Sequence, residues 1–425
     1  MILHMDLDTF FVSAHRTRDI TLNDRPVAVG GRSNLKIFER QQMGMQLYNA
    51  NSGAFVNPIF DNGRGSDFDH FFVDHHADGS RKIRGIVVTS SYEARAKGVK
   101  TGMPLAAALR LCPEMEVLVP DYFLYHDLSH RLHLFLQQEI PRIEQYSIDE
   151  FFGDVKGWIR DEEVLAYARH LKARIWQEFS LPISIGISPA KWIAKLATNY
   201  AKPNGVKLVR KNEISDFIEE IPIAAFPGIG RGYARRLEKH FITTLGEASR
   251  HRALFYSWKK PGRLLYHRIV GDDCESVSKT KDRKSIGISR TFDPICKTDE
   301  VLRRIMILAR HIVFLVVRHG VNPTGYYLKL SFDTGMRTKV RKTTERLFSE
   351  HLCKKIFETL FEASRLEHGC VTKITMSVYN FSYQKRTPFS LLDIVEDHQQ
   401  RGLTESLQRL REKYSMDIVK SGSEL

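Results

Sequence analysis

Residues 142–155 read RIEQYSIDEFFGDV. Two strand-forming runs, near 142–146 and 151–155, flank the tight turn Ser147-Ile148-Asp149-Glu150. The stretch therefore predicts an antiparallel hairpin with two adjacent carboxylates at its tip. Outward from it, residues 2–7 predict another strand, because Leu3, Met5 and Leu7 alternate with His4, Asp6 and Asp8. Short strands follow at 27–29, entered through Pro26, and at 85–89. Ser91 caps a short helix that Gly98 closes, and Pro104 opens another that stops at Pro113. Helices over 122–138, near 161–178 and near 189–200, with a strand at 183–187, complete an α+β sheet layer.

Farther along the chain, residues 210–276 carry helical periodicity with little strand signal, which predicts a small all-helical domain. Residues 277–284, VSKTKDRK, read as a linker. Beyond it, helices at 298–318 and 347–365 alternate with strand-like runs at 326–332 and 371–379, a second α+β domain. Residues 383–425 read as a weak tail with one amphipathic stretch, 403–414. Between Gly31 and Gly85 lies a Gly-, Asn-, Asp- and Phe-rich segment without sustained period, an insertion over about 31–84.

The chain has 425 residues, 42% hydrophobic and 27% charged, which predicts a globular protein of several domains. The most apolar run, 305–317, is interrupted by Arg310 and His311 and is too polar to cross a bilayer. The N-terminus meets Asp6 and Asp8 before any Lys or Arg, unlike a secretory signal. Five scattered cysteines without a CxxC spacing argue for a reducing compartment and against a disulfide framework. Secreted and membrane readings are excluded in favour of a cytoplasmic one, in a bacterial or archaeal cytosol. The net charge of +14 is polarised: residues 1–209 hold +1, 210–276 hold +3, 277–382 hold +10 and 383–425 hold zero. One contiguous basic segment on a near-neutral remainder predicts a polyanion-binding module, with nucleic acid the first candidate.

Three constellations carry chemistry. Asp6 and Asp8 end a strand, and Asp149 and Glu150 sit in a turn; singly, each pair also reads as ordinary turn acids. Converging, the four would repel one another unless cations lay between them, a hard oxygen site suited to Mg²⁺ or Mn²⁺. Two such ions are the known device for nucleotidyl transfer. Tyr92 and Arg95, three apart on one helix face, together with Lys202, form a clamp suited to a triphosphate. Phe226-Pro227-Gly228-Ile229-Gly230 opens a helix carrying Arg235 and Arg236, a pattern that grips phosphates through backbone N–H groups. In the insertion, Asp69-His70 and Asp74-His75-His76 offer a Zn²⁺-type cluster, but with no cysteine nearby they read rather as solvated side chains. Phe38, Phe55, Phe60, Phe68, Phe71 and Phe72 are expected to pack that loop against the neighbouring domain.

The ordered segments MDLDTFFVS, SSYEARAKGVKTGMP, YSIDEFF, GISPAKWIAKLATNYAKPNG and FPGIGRGYARRLEKHFITTLGEA resemble the Y-family translesion DNA polymerases, DNA polymerase IV type. The resemblance runs from residue 1 to about 382, apart from the insertion. It implies a right-hand polymerase with a ferredoxin-like palm at 1–11 and 121–209 and fingers at 12–120. A helix-hairpin-helix thumb at 210–276, the linker 277–284, a little finger at 285–382 and the tail 383–425 complete it. It implies an error-prone, template-directed polymerase without proofreading that extends a primer on template DNA with dNTPs. Asp6, Asp149 and Glu150 fall where the family holds two Mg²⁺ ions, or Mn²⁺ in their place, with the Leu7 carbonyl; Asp8 is second tier. Phe11 matches the gate against a ribose 2′-OH. Phe10, through backbone N–H groups, and Thr89, Tyr92, Arg95 and Lys202 match the triphosphate contacts. Gly228, Gly230, Arg231, Arg235, Lys284 and Arg290 match DNA contacts. A monomer is expected, and 388–392 (PFSLL) is a degenerate sliding-clamp motif. Phe151-Phe152-Gly153 departs from the family pattern under the site. A non-catalytic, polymerase-shaped scaffold is the competing reading; it is disfavoured because such relatives typically lose the acids.

Overall fold

The computed structural model describes residues 1–33, 35–38, 47–48, 59–60, 67–75, 78–278, 283–364, 367–382 and 393–425. These fall into two compact units. Residues 1–31 and 67–278 belong to the first; the described parts of 32–64 and residues 283–425 belong to the second.

The first unit is built on a five-stranded sheet in the order Val206–Leu208, Ile183–Ser188, Ile2–Leu7, Glu150–Asp154, Arg142–Gln145. The central strand is antiparallel to both neighbours, and its register sets Asp6 opposite Glu150. Leu3, Met5 and Leu7 enter one core with Leu128, Leu132, Leu171 and Ile175 from the helices Tyr122–Glu139 and Val164–Phe179. The alternation therefore places His4 and Asp6 on the opposite face of the sheet. Helix Lys191–Ala201 packs on strands Ile183–Ser188 and Ile2–Leu7, and its Trp192, Ile193 and Leu196 share a core with the short helices between Ile214 and Ile269. Gly186 permits this approach, since a Cβ there would lie 2.1 Å from the Ala194 carbonyl oxygen.

A three-stranded sheet, Ile86–Ser90, Val27–Gly31, Glu116–Leu118, carries the remainder of this unit. Its core includes Phe72 at the end of helix Phe68–Phe72, with Phe68 and Phe71 packed against it. The Phe72 ring occupies the space a side chain at Gly30 would need.

In the second unit an antiparallel sheet runs Ser285–Ile295, Val371–Ser382, Asn322–Phe332, Arg337–Thr343. Tyr326, Leu328, Leu330 and Phe332 turn toward the core with the helices Thr298–Arg318 and Glu350–Glu362, leaving Tyr327, Lys329 and Ser331 outward.

Three expectations need correction. Among the described phenylalanines of the insertion, Phe68, Phe71 and Phe72 pack on the three-stranded sheet of the first unit as expected, but Phe38 does not: it is buried in the core of the second unit, beside Phe292 and under the Arg304 guanidinium at 4.6 Å. Phe55 and the side chain of Phe60 lie outside the described residues. The weak tail is instead ordered over 393–425. Helix Ile394–Lys413 and the last residues fasten to the sheet's helices, with Arg310 bonded to Glu424 at 2.6 Å and to Asp417 at 2.9 Å. Finally, Cys296 and Cys370 form a disulfide; antiparallel pairing of Ile295 with Val371 brings them together from 74 residues apart.

Candidate active site

Asp6 is the penultimate residue of the central strand, and Glu150 begins the strand beside it. Asp149 is drawn alongside by its carbonyl, which accepts the Leu7 N–H at 3.0 Å. Burial raises the Asp6 pKa; Lys202 opposes this, the carboxylates of Asp149 and Glu150 add to it, and the value reaches about 7. Burial also raises Asp149, against the Ser147 hydroxyl, which donates to Asp149 at 2.5 Å.

Two lysines answer these acids, and a third pairs with Glu144 on the neighbouring strand. Lys191 pairs with Glu144 at 2.6 Å, Lys195 with Glu150, and Lys202 with Asp6 at 2.6 Å. Lys195 also rests beside the fully buried His4, whose Nδ1 is bonded to the Thr198 hydroxyl at 2.8 Å. Burial, then the neighbouring lysines, hold this imidazole well below its ordinary pKa, and hence neutral. Lys191 and Lys195 were not singled out from the sequence. Their signal is a spacing of four in an otherwise apolar helix, which aims both at one face of the sheet.

The donor set fits a hard divalent cation: it is all oxygen, self-repelling and already attracting ammonium groups. As they stand, Asp6 and Glu150 turn to different lysines, and among the described residues no three His, Cys, Asp or Glu side chains converge on one point. In the insertion, Asp69 pairs with Arg81 and Asp74 with Arg84, and His76 lies outside the described residues.

Asp8 is held differently. Its two oxygens accept the Tyr92 hydroxyl at 3.0 Å, the Ser184 hydroxyl at 2.8 Å and the Asn204 N–H at 2.7 Å. It thereby ties the Lys202–Asn204 turn and the Tyr92 helix to the central strand. Arg95 lies over the Tyr92 ring at 5.2 Å, so the expected clamp pair is adjacent. Thr89 lies opposite Val29 on the neighbouring strand. Phe10 is buried, and Phe11 stacks on Tyr125 at 4.2 Å.

Gly228 has φ 103°, a conformation that favours glycine, and Gly230 caps helix Arg231–Glu238, where Arg231 and Arg235 are exposed. In the second unit Lys284 is exposed. Arg290 is partly buried. Alternation puts it on the face of its strand shared with Ile286 and Ile288, and burial pushes its pKa down to about 10. The outward face carries other cations, with Lys329 opposite Lys339, Tyr327 opposite Arg341, and Ser331 opposite Arg337 and Lys373. Burial, then Arg337, Lys339 and Lys373, lower the Lys329 pKa. Like charges directly opposed on a sheet are destabilising, and a polyanion relieves that repulsion. The clamp-like 388–392 lies outside the described residues.

Comparisons with known proteins point the same way. The impB/mucB/samB family model matches residues 66–199, and the model of that family's C-terminal domain matches 283–391. Together they cover more than half of the chain. The chain is 29% identical over 352 residues to DNA polymerase IV 1 of Halalkalibacterium halodurans, covering 80% of this chain and 84% of that one. It is 28% identical over 294 residues to DNA polymerase IV of Yersinia pseudotuberculosis, covering 68% and 70%. Among solved structures, a chimera of the Y-family polymerases Dbh and Dpo4 superposes with a TM-score of 0.70 at 21% identity, covering 90% of this chain and 99% of that one. An insertion ternary complex of Dbh DNA polymerase gives 0.54 at 22% identity, with the same coverage.

Proposed function

This chain belongs to the Y-family DNA polymerases of the DNA polymerase IV type, and on that premise we propose that it performs translesion synthesis by two-metal nucleotidyl transfer from a dNTP to a primer 3′-OH. The observation that carries this reading is the strand register that sets Asp6 against Glu150, with Asp149 drawn alongside in the turn and Lys195 and Lys202 paired to the first two. Asp6, Asp149, Glu150 and the Leu7 carbonyl would hold two Mg²⁺ ions, or Mn²⁺, whose charge neutralises the phosphoryl centre.

The chain's own residues supply position and charge. Lys202, on a turn fixed by Asp8, leaves Asp6 for the triphosphate, joined by Arg95, Tyr92, Thr89 and the backbone N–H groups near Phe10. Lys195 remains as the counter-charge that orients Glu150. Phe11 blocks a ribose 2′-OH. Residues 1–11 and 121–209 act as palm, 12–120 as fingers, 210–276 as thumb and 285–382 as little finger. The exposed Arg231, Arg235 and Lys284, with the outward cations of the second unit, hold duplex phosphates without reading sequence. Work in the cytosol without proofreading, with a weak clamp contact through 388–392, belongs to the same reading. Primer extension tests it: incorporation should need Mg²⁺, cease with a chelator and return when the metal is restored. Extension unaffected by the chelator would refute it.

A further inference from the structure

Phe11 is the second residue of the seven-residue helix Phe10–Arg16 and is only partly buried. A ring in that position can turn about two side-chain torsions, and a gate that yields does not exclude one extra oxygen. What holds the ring is on another element. Tyr125, the fourth residue of helix Tyr122–Glu139 and fully buried, lies face to face with Phe11 at 4.2 Å and 11°. Tyr122 meets both rings edge-on, at 6.1 Å from Phe11 and 5.7 Å from Tyr125. The Tyr125 hydroxyl is bonded at 2.8 Å to His15 Nε2, one turn beyond Phe11 on the same helix. Tyr125 is thus fixed at its far end to the helix whose first turn it braces.

We propose that Tyr125 is the positioning residue that makes Phe11 an effective sugar gate, setting ribonucleotide exclusion without touching the nucleotide. The inference rests on the gate reading of Phe11 given under Proposed function. The stacked ring is the operative feature, because it opposes rotation of Phe11, while the hydroxyl bond to His15 only sets the tilt.

The test compares kcat/KM for one dNTP and its matching rNTP in the parent, Phe11→Ala, Tyr125→Leu, Tyr125→Phe and the double variant Phe11→Ala/Tyr125→Leu. Tyr125→Leu should raise rNTP use relative to dNTP by up to about tenfold, the worth of one aromatic pair. Tyr125→Phe, which keeps the ring, should retain the parental ratio. In the Phe11→Ala background the second substitution should add nothing, since its only route is through the missing ring. A merely structural role would lower both substrates together and leave the ratio unmoved. Tyr125→Met, unbranched and of similar reach, carries the same expectation should Tyr125→Leu not fold. A parental ratio in the folded Leu or Met variant, or an additive effect in the double variant, overturns the inference. An unchanged ratio in Phe11→Ala overturns the gate reading itself and this inference with it.

Discussion

Asp8 stands two residues beyond Asp6, yet its oxygens are occupied by Tyr92, Ser184 and Asn204. Asp8→Asn would swap one acceptor oxygen for an NH2 group, so the Tyr92 hydroxyl must turn from donor to acceptor and all three bonds lose their charged acceptor. The expected cost is about 1–2 kcal/mol of stability, the extra worth of hydrogen bonds to a charged group. Because the same carboxylate fixes the turn bearing Lys202, KM for dNTP should rise more than kcat falls. Paired melting curves and single-nucleotide kinetics check both. At this scale the sequence is a good guide to Asp6, Asp149 and Glu150, whose strand-end and turn positions follow from alternation and turn chemistry. It is a poor guide to which acids are free to take a new partner. That depends on Ser184 and Asn204, roughly 180–200 residues away, which no local pattern connects to Asp8.

At the scale of elements, helix Ile394–Lys413 extends well beyond the amphipathic stretch 403–414 and buries a polar face. It buries Asp397, Thr404, Gln408 and Arg411 and leaves Val395, Leu403 and Leu410 outside. Apolar positions, ordinarily the packing face, are here the exposed ones, because the second unit offers charged partners. Glu350 takes Arg411 and Lys354, and Arg346 takes Asp397. Burial alone would push the Glu424 carboxyl up; Arg310 and Lys354 outweigh it and hold it below its ordinary range. A lowered folded-state pKa means that the stabilisation is present above the usual carboxylate pKa and lost as pH falls through and below it. The second unit should therefore melt at a lower temperature at pH 3 than at pH 6, with a smaller drop in Glu424→Gln, as calorimetry would read. Arg310→Met should itself lower stability at pH 6, because it takes the guanidinium from two buried carboxylates, Asp417 and Glu424, and breaking a buried ion pair costs about 3–5 kcal/mol. The insertion was legible as an insertion and as aromatic-rich, but not as a segment shared between two cores. Phe38→Ala should cost the second unit about 3–5 kcal/mol, as for other buried Phe truncations, and leave the first unit's transition in place.

Across the whole molecule, the charge polarisation visible in the sequence falls on strands. Residues 337–343, RTKVRKT, form a strand that apolar alternation could not disclose, since only Val340 marks an inward position. Lysines and arginines read merely as net charge turn out to be registered, with Lys329 against Lys339 and Tyr327 against Arg341. Replacing Lys329, Lys339 and Arg341 by alanine should weaken DNA binding and lessen the log–log salt slope by about 2–3, one phosphate contact per cation. The carboxylates proposed to hold the metals lie in the first unit and these proposed phosphate contacts in the second, so chemistry and affinity should separate under mutation. The most direct measurement is primer extension by Asp149→Ala beside the parent protein, each with Mg²⁺ and at DNA concentrations set by its own binding curve. The account predicts incorporation abolished while DNA affinity is kept; extension by Asp149→Ala at the parental rate would contradict it.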